Sequence, residues 1–273
     1  MKGLLKITCL LSAITFANNA LATLITVSEL APSNSAQDTW MYGDMRDGGT
    51  ASIVSVIGLG GNLENNAPLG NDAVRLTTGT TNNNDKAEIV IANNFGTVSS
   101  ILSTLSISYD YYRENAVGEN AFAAPSLKLG FYNSNCQQGD DCYFQLIYEP
   151  YLNATLADSQ WTNIAINFDL GDFWNTGGFG LASGGGGCPC LTLEDTQTSA
   201  NSNFDSAVLT SVALGIGTYN RGVTGYIDNV SININDNNTT TYDFERVEVP
   251  EPSSIAIFSL ALLSLGFRNK QKI

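Results

Sequence analysis

The chain's 273 residues include no histidine at all. That omission excludes a Ser-His-Asp triad, a Cys-His pair, a His-bearing zinc or haem site and an imidazole pH switch. The chemistry that remains rests on carboxylates, cysteines and aromatic rings. There are 26 acidic residues against 12 basic ones, a formal charge of -14. So acidic a chain argues against nucleic acid as a partner, because binding phosphate backbones needs clustered Lys and Arg.

Of the five cysteines, Cys9 falls in an N-terminal leader, which leaves Cys136, Cys142, Cys188 and Cys190. Four cysteines allow three connectivities. Cys136 and Cys142 bracket a polar Gln-Gln-Gly-Asp-Asp loop that a disulfide could close at a hairpin tip. Cys188-Pro189-Cys190 is harder to bridge locally, because an i to i+2 disulfide closes a strained ring; a labile bridge and a crossed pairing between the two loops both stay open. A redox or soft-metal role for the Cys-x-Cys pair would need a lowered thiolate pKa or further ligands.

Among the carboxylates Asp228 is the most informative. On Tyr226 to Ile234, strict alternation groups Tyr226, Asp228, Val230, Ile232 and Ile234, so a carboxylate lies on an apolar face, where leaving it unpaired is costly. Two readings follow. Asp228 could bind a structural Ca²⁺, which takes six to eight oxygen ligands, with Glu29 near the first strand as its partner. Or it could accept hydrogen bonds from backbone N–H groups or an arginine.

A glycosidase needs two carboxylates about 5–5.5 Å apart for retention or roughly 6.5–9.5 Å for inversion. No Glu-x-Asp-x-Glu strand exists here. Glu194-Asp195 are adjacent and would point to opposite faces if extended, and Asp169 and Asp172 sit at a loop with odd spacing. A hydrolase or lyase is therefore the secondary expectation, and a purely structural coat protein a third. The primary one is a non-catalytic carbohydrate-binding protein, because sugar sites combine apolar or aromatic surface with a few placed polar groups. Tyr112 and Arg113 lead the short list, since Tyr112 falls opposite the apolar set Leu105, Ile107, Tyr109 and Tyr111. Trp174 joins them.

The elements that must position these residues are strands. Period-two alternation recurs in Ala87 to Ile91, Leu105 to Tyr111, Leu127 to Phe131, Thr162 to Phe168, Val208 to Ile216 and Tyr226 to Ile234, separated by turn clusters such as Gly58-Leu59-Gly60-Gly61-Asn62. No stretch between the chain ends keeps a 3.6-residue period with caps. The expected fold is all-β, a two-sheet jelly-roll β-sandwich over residues 23–247, one domain with no internal repeat.

Both ends read as processing segments. Residues 1–22 form a secretory signal peptide: Lys2 and Lys6, the apolar run Ile7 to Phe16, and Ala20-Leu21-Ala22 as the cleavage site. Secretion places the cysteines in an oxidising compartment. Residues 248–273 contain Val249-Pro250-Glu251-Pro252-Ser253, an apolar run from Ile255 to Phe267, and a tail with Arg268, Lys270 and Lys272. Thirteen residues of helix rise only about 20 Å, short of the roughly 30 Å hydrocarbon core. Such a segment suits a transient inner-membrane anchor whose basic tail stays cytoplasmic.

This C-terminal pattern closely resembles the PEP-CTERM sorting signal of bacterial surface proteins. The resemblance implies signal peptidase and an exosortase as processing partners, cleavage near Pro250-Glu251-Pro252, and release to the cell surface or an extracellular polysaccharide matrix. The interior is similar to a family of secreted bacterial β-sandwiches without an established activity, through Ala73 to Gly79, Lys86 to Ile89, Ser108 to Arg113, Leu146 to Pro150, Gly225 to Val230 and Thr240 to Glu245. Without both ends, positions 23–249 keep 7 basic and 25 acidic residues, a formal charge of -18. That balance is consistent with divalent cations and neutral glycans as partners.

Overall fold

Alternating side chains give each strand one apolar face, and two sheets bury those faces against each other. The computed structural model describes residues 22–114, 122–136, 142–184, 190–235 and 238–247. Within them the strands are β1 (Thr23–Thr26), β2 (Trp40–Tyr42), β3 (Thr50–Ser55), β4 (Asp72–Thr77), β5 (Ala87–Ala92), β6 (Ser106–Arg113), β7 (Ser126–Tyr132), β8 (Tyr143–Tyr148), β9 (Trp161–Ile166), β10 (Phe173–Asn175), β11 (Val208–Ile216), β12 (Thr224–Ile234) and β13 (Asn238–Asp243). Four short helices connect them: α1 (Gly61–Asn65), α2 (Val98–Ile101), α3 (Pro150–Asn153) and α4 (Leu193–Ser199). The chain is the expected all-β class, a two-sheet β-sandwich.

The six-stranded sheet runs β10-β8-β7-β11-β5-β2 and is antiparallel at every pairing. The seven-stranded sheet is built on β12. One side of β12 pairs with β6, which carries β9. The other side forks: β4 takes Thr224 to Ile227 and carries β3, while β13 takes Val230 to Ile234 and carries the parallel edge strand β1.

Between the sheets lie Leu76, Ile89, Leu127, Leu129, Leu146, Leu214 and Ile227, all 0% exposed. Trp40 meets Tyr242 and Phe244 edge-on, each at 5.5 Å between centroids, a favoured aromatic geometry. A smaller apolar cluster of Val56, Leu63, Ala73, Tyr112 and Tyr226 sits on the other side of the seven-stranded sheet.

Two features depart from the alternation. The first is at the fork. Asn229 adopts a left-handed φ of 51°, and the β12–β6 register shifts between Asp228 and Ser231. This β-bulge inserts one residue and reverses the phase of the strand. Tyr226 therefore faces the smaller cluster while Ile227, Val230 and Ile232 face the main core, so the expected grouping of Tyr226 with Val230 and Ile232 does not hold. The second is α4, where Thr192 caps the helix by accepting from Asp195 N–H and Asp195 reaches back to the Thr192 N–H. A Thr-x-x-Asp capping box announces such a helix, but seven residues are too few to show a helical period. The pair Glu194-Asp195 is thus helical rather than extended, and Asp195 is occupied in capping.

Asp228, 0% exposed, closes the fork. One carboxylate oxygen accepts from Phe244 N–H, just past β13, at 3.3 Å, and the other from Leu69 N–H, ahead of β4, at 3.2 Å. Beyond it the Glu245 carboxylate accepts from Asn71 and Asp72 N–H, and Arg246 pairs with Asp72. Asp228→Ala leaves one buried and one part-buried N–H group without their acceptor and is expected to cost about 2–4 kcal/mol. Urea unfolding checks this; a loss below about 1 kcal/mol, within the range of an ordinary exposed hydrogen bond, would remove Asp228 from this role.

Candidate functional site

The outer face of the six-stranded sheet gathers groups that the core does not need. On β7, Leu127, Leu129 and Phe131 point inward, so Ser126, Lys128, Gly130 and Tyr132 point outward. On β8, Tyr143, Gln145 and Ile147 are outward, followed by Glu149. On β11, beyond a bulge at Leu209/Ser211, the outward residues are Ser211, Ala213 and Gly215. All three are small. They lie under a shallow trough along β11 that, at about 3.3 Å per residue, is roughly 13 Å long. The ion pair that Lys128 of β7 makes with Glu88 of β5 crosses its far end, so Ala213 is 4% exposed and Gly215 buried, while Ser211 is half-buried.

One wall of the trough is aromatic. Tyr132 and Tyr143 stand directly opposite each other and are 47% and 50% exposed. The Tyr143 hydroxyl leans over Gly130, 3.6 Å from where a Cβ of residue 130 would be, and glycine there also leaves room for the Ser211 hydroxyl, which that Cβ would overlap. Trp174, half-buried, faces Ile147 across β10 and β8. Its indole nitrogen is buried and makes no full hydrogen bond.

The other wall is ionic. Glu88 sits beside Gly215, which in turn faces Ser126. The Glu88 carboxylate holds Lys128 and Lys86 on one oxygen, with Lys86 Nζ at 3.1 Å, and accepts Asp44 N–H at 3.2 Å on the other. Asp44 continues the chain to Lys86 at 2.8 Å and to Arg46. Burial works against charge on Glu88, yet the two lysines hold its pKa below the usual range. Burial lowers Lys128 in spite of Glu88. On Lys86 burial is outweighed by Glu88 and Asp44, and its pKa rises.

At the same Gly215 end of the trough, beyond Ser126, burial pushes Glu149 up to about 7, with the Lys128 charge and the nearby Trp174 N–H pulling the other way. A carboxyl whose proton affinity is raised and one whose proton affinity is lowered therefore share this face, Glu149 beyond Ser126 and Glu88 beyond Gly215.

The expected site residues fare unequally. Trp174 does lie on this face. Tyr112 does point away from the main core, but that face of the seven-stranded sheet is covered. Tyr112 is 7% exposed and packs against Trp161 and Tyr226 at 5.7 and 5.9 Å, while Trp161 donates to Leu63 C=O of α1. Arg113 is 2% exposed, with Nε 2.6 Å from the Asp158 carboxylate. Neither can serve as an exposed sugar platform, and both are corrected to packing roles. Glu29 is exposed after β1, and Asp228 has its oxygens on backbone N–H groups. Among the described residues no three Asp, Glu or Cys side chains gather in a way that could hold a metal ion. Cys136 and Cys142 are not joined by a disulfide, so the expected bridge across the hairpin tip is not made. Cys190 is disulfide-bonded; Cys188 and the sorting residues Val249, Pro250, Glu251, Pro252 and Ser253 lie outside the described residues, as does the leader.

Lys86, Glu88, Lys128, Tyr143 and Glu149 were not singled out by sequence reasoning. Their strands were legible, but their meeting depends on the pairing of β5, β11, β7 and β8, which no local pattern encodes. Two cavities of about 260 Å³ lie elsewhere. One is lined by Ser106, Ser108, Ser231 and Asn233 on the seven-stranded sheet, the other by Asp38, Asn93, Phe95 and Tyr242. The first offers no aromatic or charged side chain, whereas the outer face of the six-stranded sheet carries both.

Residues 248–271 match the PEP-CTERM protein-sorting motif. That motif implies an exported protein sorted to the cell surface. Among the described residues no helix is long and apolar enough to cross a membrane. No curated protein matches the chain in sequence. Among solved structures the chain is similar to a Family 11 carbohydrate-binding module from Clostridium thermocellum in complex with a β-1,3-1,4-mixed-linked tetrasaccharide, at 15% identity over 80% of this chain and 96% of that one, TM-score 0.37. It is also similar to Cip1, a cellulose-induced protein, at 15% identity over 76% and 95%, TM-score 0.40, and to SGBP-B from a complex xyloglucan utilization locus in Bacteroides uniformis, at 13% over 71% and 47%, TM-score 0.32. At these identities and scores the likenesses speak to no ligand or activity.

The raised carboxyls set a pH dependence. Burial also pushes Asp228 up to about 7. Asp228 and Glu149 hold protons more tightly folded than unfolded, so their stabilisation is full below about pH 4 and is lost as pH rises through about 7. Glu88 and Asp72, whose cationic partners lower them, act in the opposite sense only below about pH 4.5. The melting temperature is expected to fall from about pH 5 to about pH 8, and Glu149→Gln to flatten that slope. A melting temperature that rises over the same interval would contradict the assignment.

Proposed function

We propose that the exported protein is a non-catalytic polysaccharide-binding protein of the cell surface or extracellular matrix, and that the β11 trough is its binding site. The observation that carries this reading is the pair of half-exposed rings Tyr132 and Tyr143 on β7 and β8, beside the small residues Gly130 and Ser211, with Trp174 of β10 on the same face. A sugar ring presents an apolar face to an aromatic side chain and hydroxyls to its flanks, and the outer face of this sheet offers both kinds of contact. Exosortase processing at Pro250-Glu251-Pro252 would then deliver the domain to the matrix it binds.

The split between Glu149 and Glu88 invites a hydrolase, since carboxyls with separated pKa values make acid and base. Glu88 argues against it. Both of its oxygens are already engaged by Lys128, Lys86 and Asp44 N–H, and a nucleophile or base needs a free lone pair directed at substrate or water. Calcium would enter only as a structural ion, and the backbone N–H groups on Asp228 leave that carboxylate already satisfied.

Affinity electrophoresis through gels containing mixed-linkage glucan, xyloglucan, galactan or alginate tests the reading. The protein is expected to be retarded in at least one neutral gel. Tyr143→Ala and Trp174→Ala are each expected to weaken that retardation about tenfold, matching about 1.4 kcal/mol for a lost aromatic contact. Tyr112→Phe should leave it unchanged. Retardation by none of the polymers, or equal retardation of all variants, would overturn the assignment, and release of reducing sugar abolished by Glu149→Gln would replace it with the enzyme.

A further inference from the structure

The described fold ends beside an exposed apolar loop. Val247 is 71% exposed, Ile57 56% and Leu59 54%. They are neighbours through a short relay: Val56 N–H donates to Asn71 C=O at 2.9 Å, and Asn71 N–H donates to the Glu245 carboxylate. The loop carries Leu59 between Gly58 and Gly60, with Gly61 following. All three glycines have left-handed φ values of 82°, 73° and 62°, and a Cβ on any of them would meet nothing within 4 Å. The loop therefore projects outward and presents two large aliphatic side chains that the fold does not use.

The chain outside the structure says what lies opposite. From Val247 the apolar run beginning at Ile255 is eight residues away, at most about 26–29 Å of extended chain. While that run sits in a bilayer, the end of the sandwich bearing Ile57 and Leu59 is held within about 26–29 Å of the bilayer surface. The nearby charges are the Glu64 carboxylate, which accepts Gly60 N–H at 2.9 Å, Glu245, and the Asp72–Arg246 pair. With no unmatched positive charge among them, attraction to anionic headgroups is not the driving force. The available force is transfer of aliphatic surface from water into the interface.

We propose that Ile57, Leu59 and Val247 form a membrane-interface contact that rests the folded domain of the tail-anchored precursor on the bilayer. This inference depends on the tail holding the precursor at a membrane. The contact would restrict the domain to one orientation and keep Pro250-Glu251-Pro252 close to the membrane surface, where a membrane-embedded protease acts. After the tail is cut, two or three aliphatic side chains are too few to hold the domain there, so the same contact does not oppose release.

The test uses the full chain, exported by its host, extracted from the membrane and reconstituted in phosphatidylcholine–phosphatidylethanolamine vesicles with brominated acyl chains. Leu59→Trp reports from the loop. Tyr219→Trp reports from the opposite end of the domain, where the 76% exposed Tyr219 bonds to Asn83 beyond the far end of β4. After subtraction of the parent chain's emission, the loop reporter is expected to be quenched more than about twofold and the distal reporter not at all, as for a side chain at interface depth. Adding Ile57→Asp to Leu59→Trp should abolish the quenching. An unquenched loop reporter in chains that float with the vesicles would overturn the contact. Equal quenching of both reporters would overturn it too, as general adsorption. Failure of the chain to float at all would overturn both the contact and the anchoring role of the tail.

Discussion

The sandwich depends on one buried carboxyl at a place where a sheet divides. β12 has a single partner on one side and two on the other, and where β4 begins and β13 ends the backbone leaves N–H groups that no strand can satisfy. A side chain at that point must offer two acceptors in two directions, and Asp228 does so with its two oxygens. The arrangement holds a carboxyl out of water, which is why its proton affinity rises, with Asp243 adding to it. The bulge at Asn229 belongs to the same solution. It lets β12 change phase so that Tyr226 serves the smaller cluster and Val230 the main core. Glu245 and the Asp72–Arg246 pair extend the tie toward the chain's exit, so the last described residues are fastened to the start of β4 rather than trailing from β13.

How much of this was legible depended on the range of the interaction involved. Period-two alternation located six of the longer strands, since a strand's in-and-out pattern is a local property. The phase within β12 was not legible, because a bulge needs only one non-glycine residue with positive φ, and Asn229 gives no stronger sign than any other asparagine. Tyr112 shows a different limit. Its outward direction was read correctly, but whether an outward face meets water depends on α1 and Trp161, which are distant in sequence. The cluster of Lys86, Glu88 and Lys128 shows a third limit. Each residue sits in a readable strand, yet β5 and β7 meet only because β11, more than 70 residues later, lies between them.

Charge gains meaning from the same pairing. The domain is strongly acidic, and of its few cations Arg46, Lys86, Lys128, Arg113 and Arg246 are each within ion-pair distance of a carboxylate. Where those pairs are buried, as for Lys128 with Glu88, their net contribution to stability is small, because desolvation offsets attraction. Their effect is to fix geometry. Glu88 and Lys128 hold each other across β11, over Ala213 and Gly215, and so close that end of the trough while leaving the Ser211 end beside Tyr132 and Tyr143 open.

A surface built this way has little long-range attraction to offer a polyanion, because most of its few positive charges are already matched and the domain's overall field repels. What it can offer is short-range: the exposed rings of Tyr132 and Tyr143, the half-buried ring of Trp174, and the small residues Gly130 and Ser211 between them. Such contacts favour a neutral, hydroxyl-rich polymer, whose binding would depend little on salt. The apolar loop at the chain's exit works on the same terms, since Ile57 and Leu59 can only recognise a partner by excluding water. An acidic exported domain with few cations has this solution available at both ends of its life, as an anchored precursor and as a released protein: it engages its surroundings through dispersion and burial, and uses its charges internally to hold the shape that makes those contacts possible.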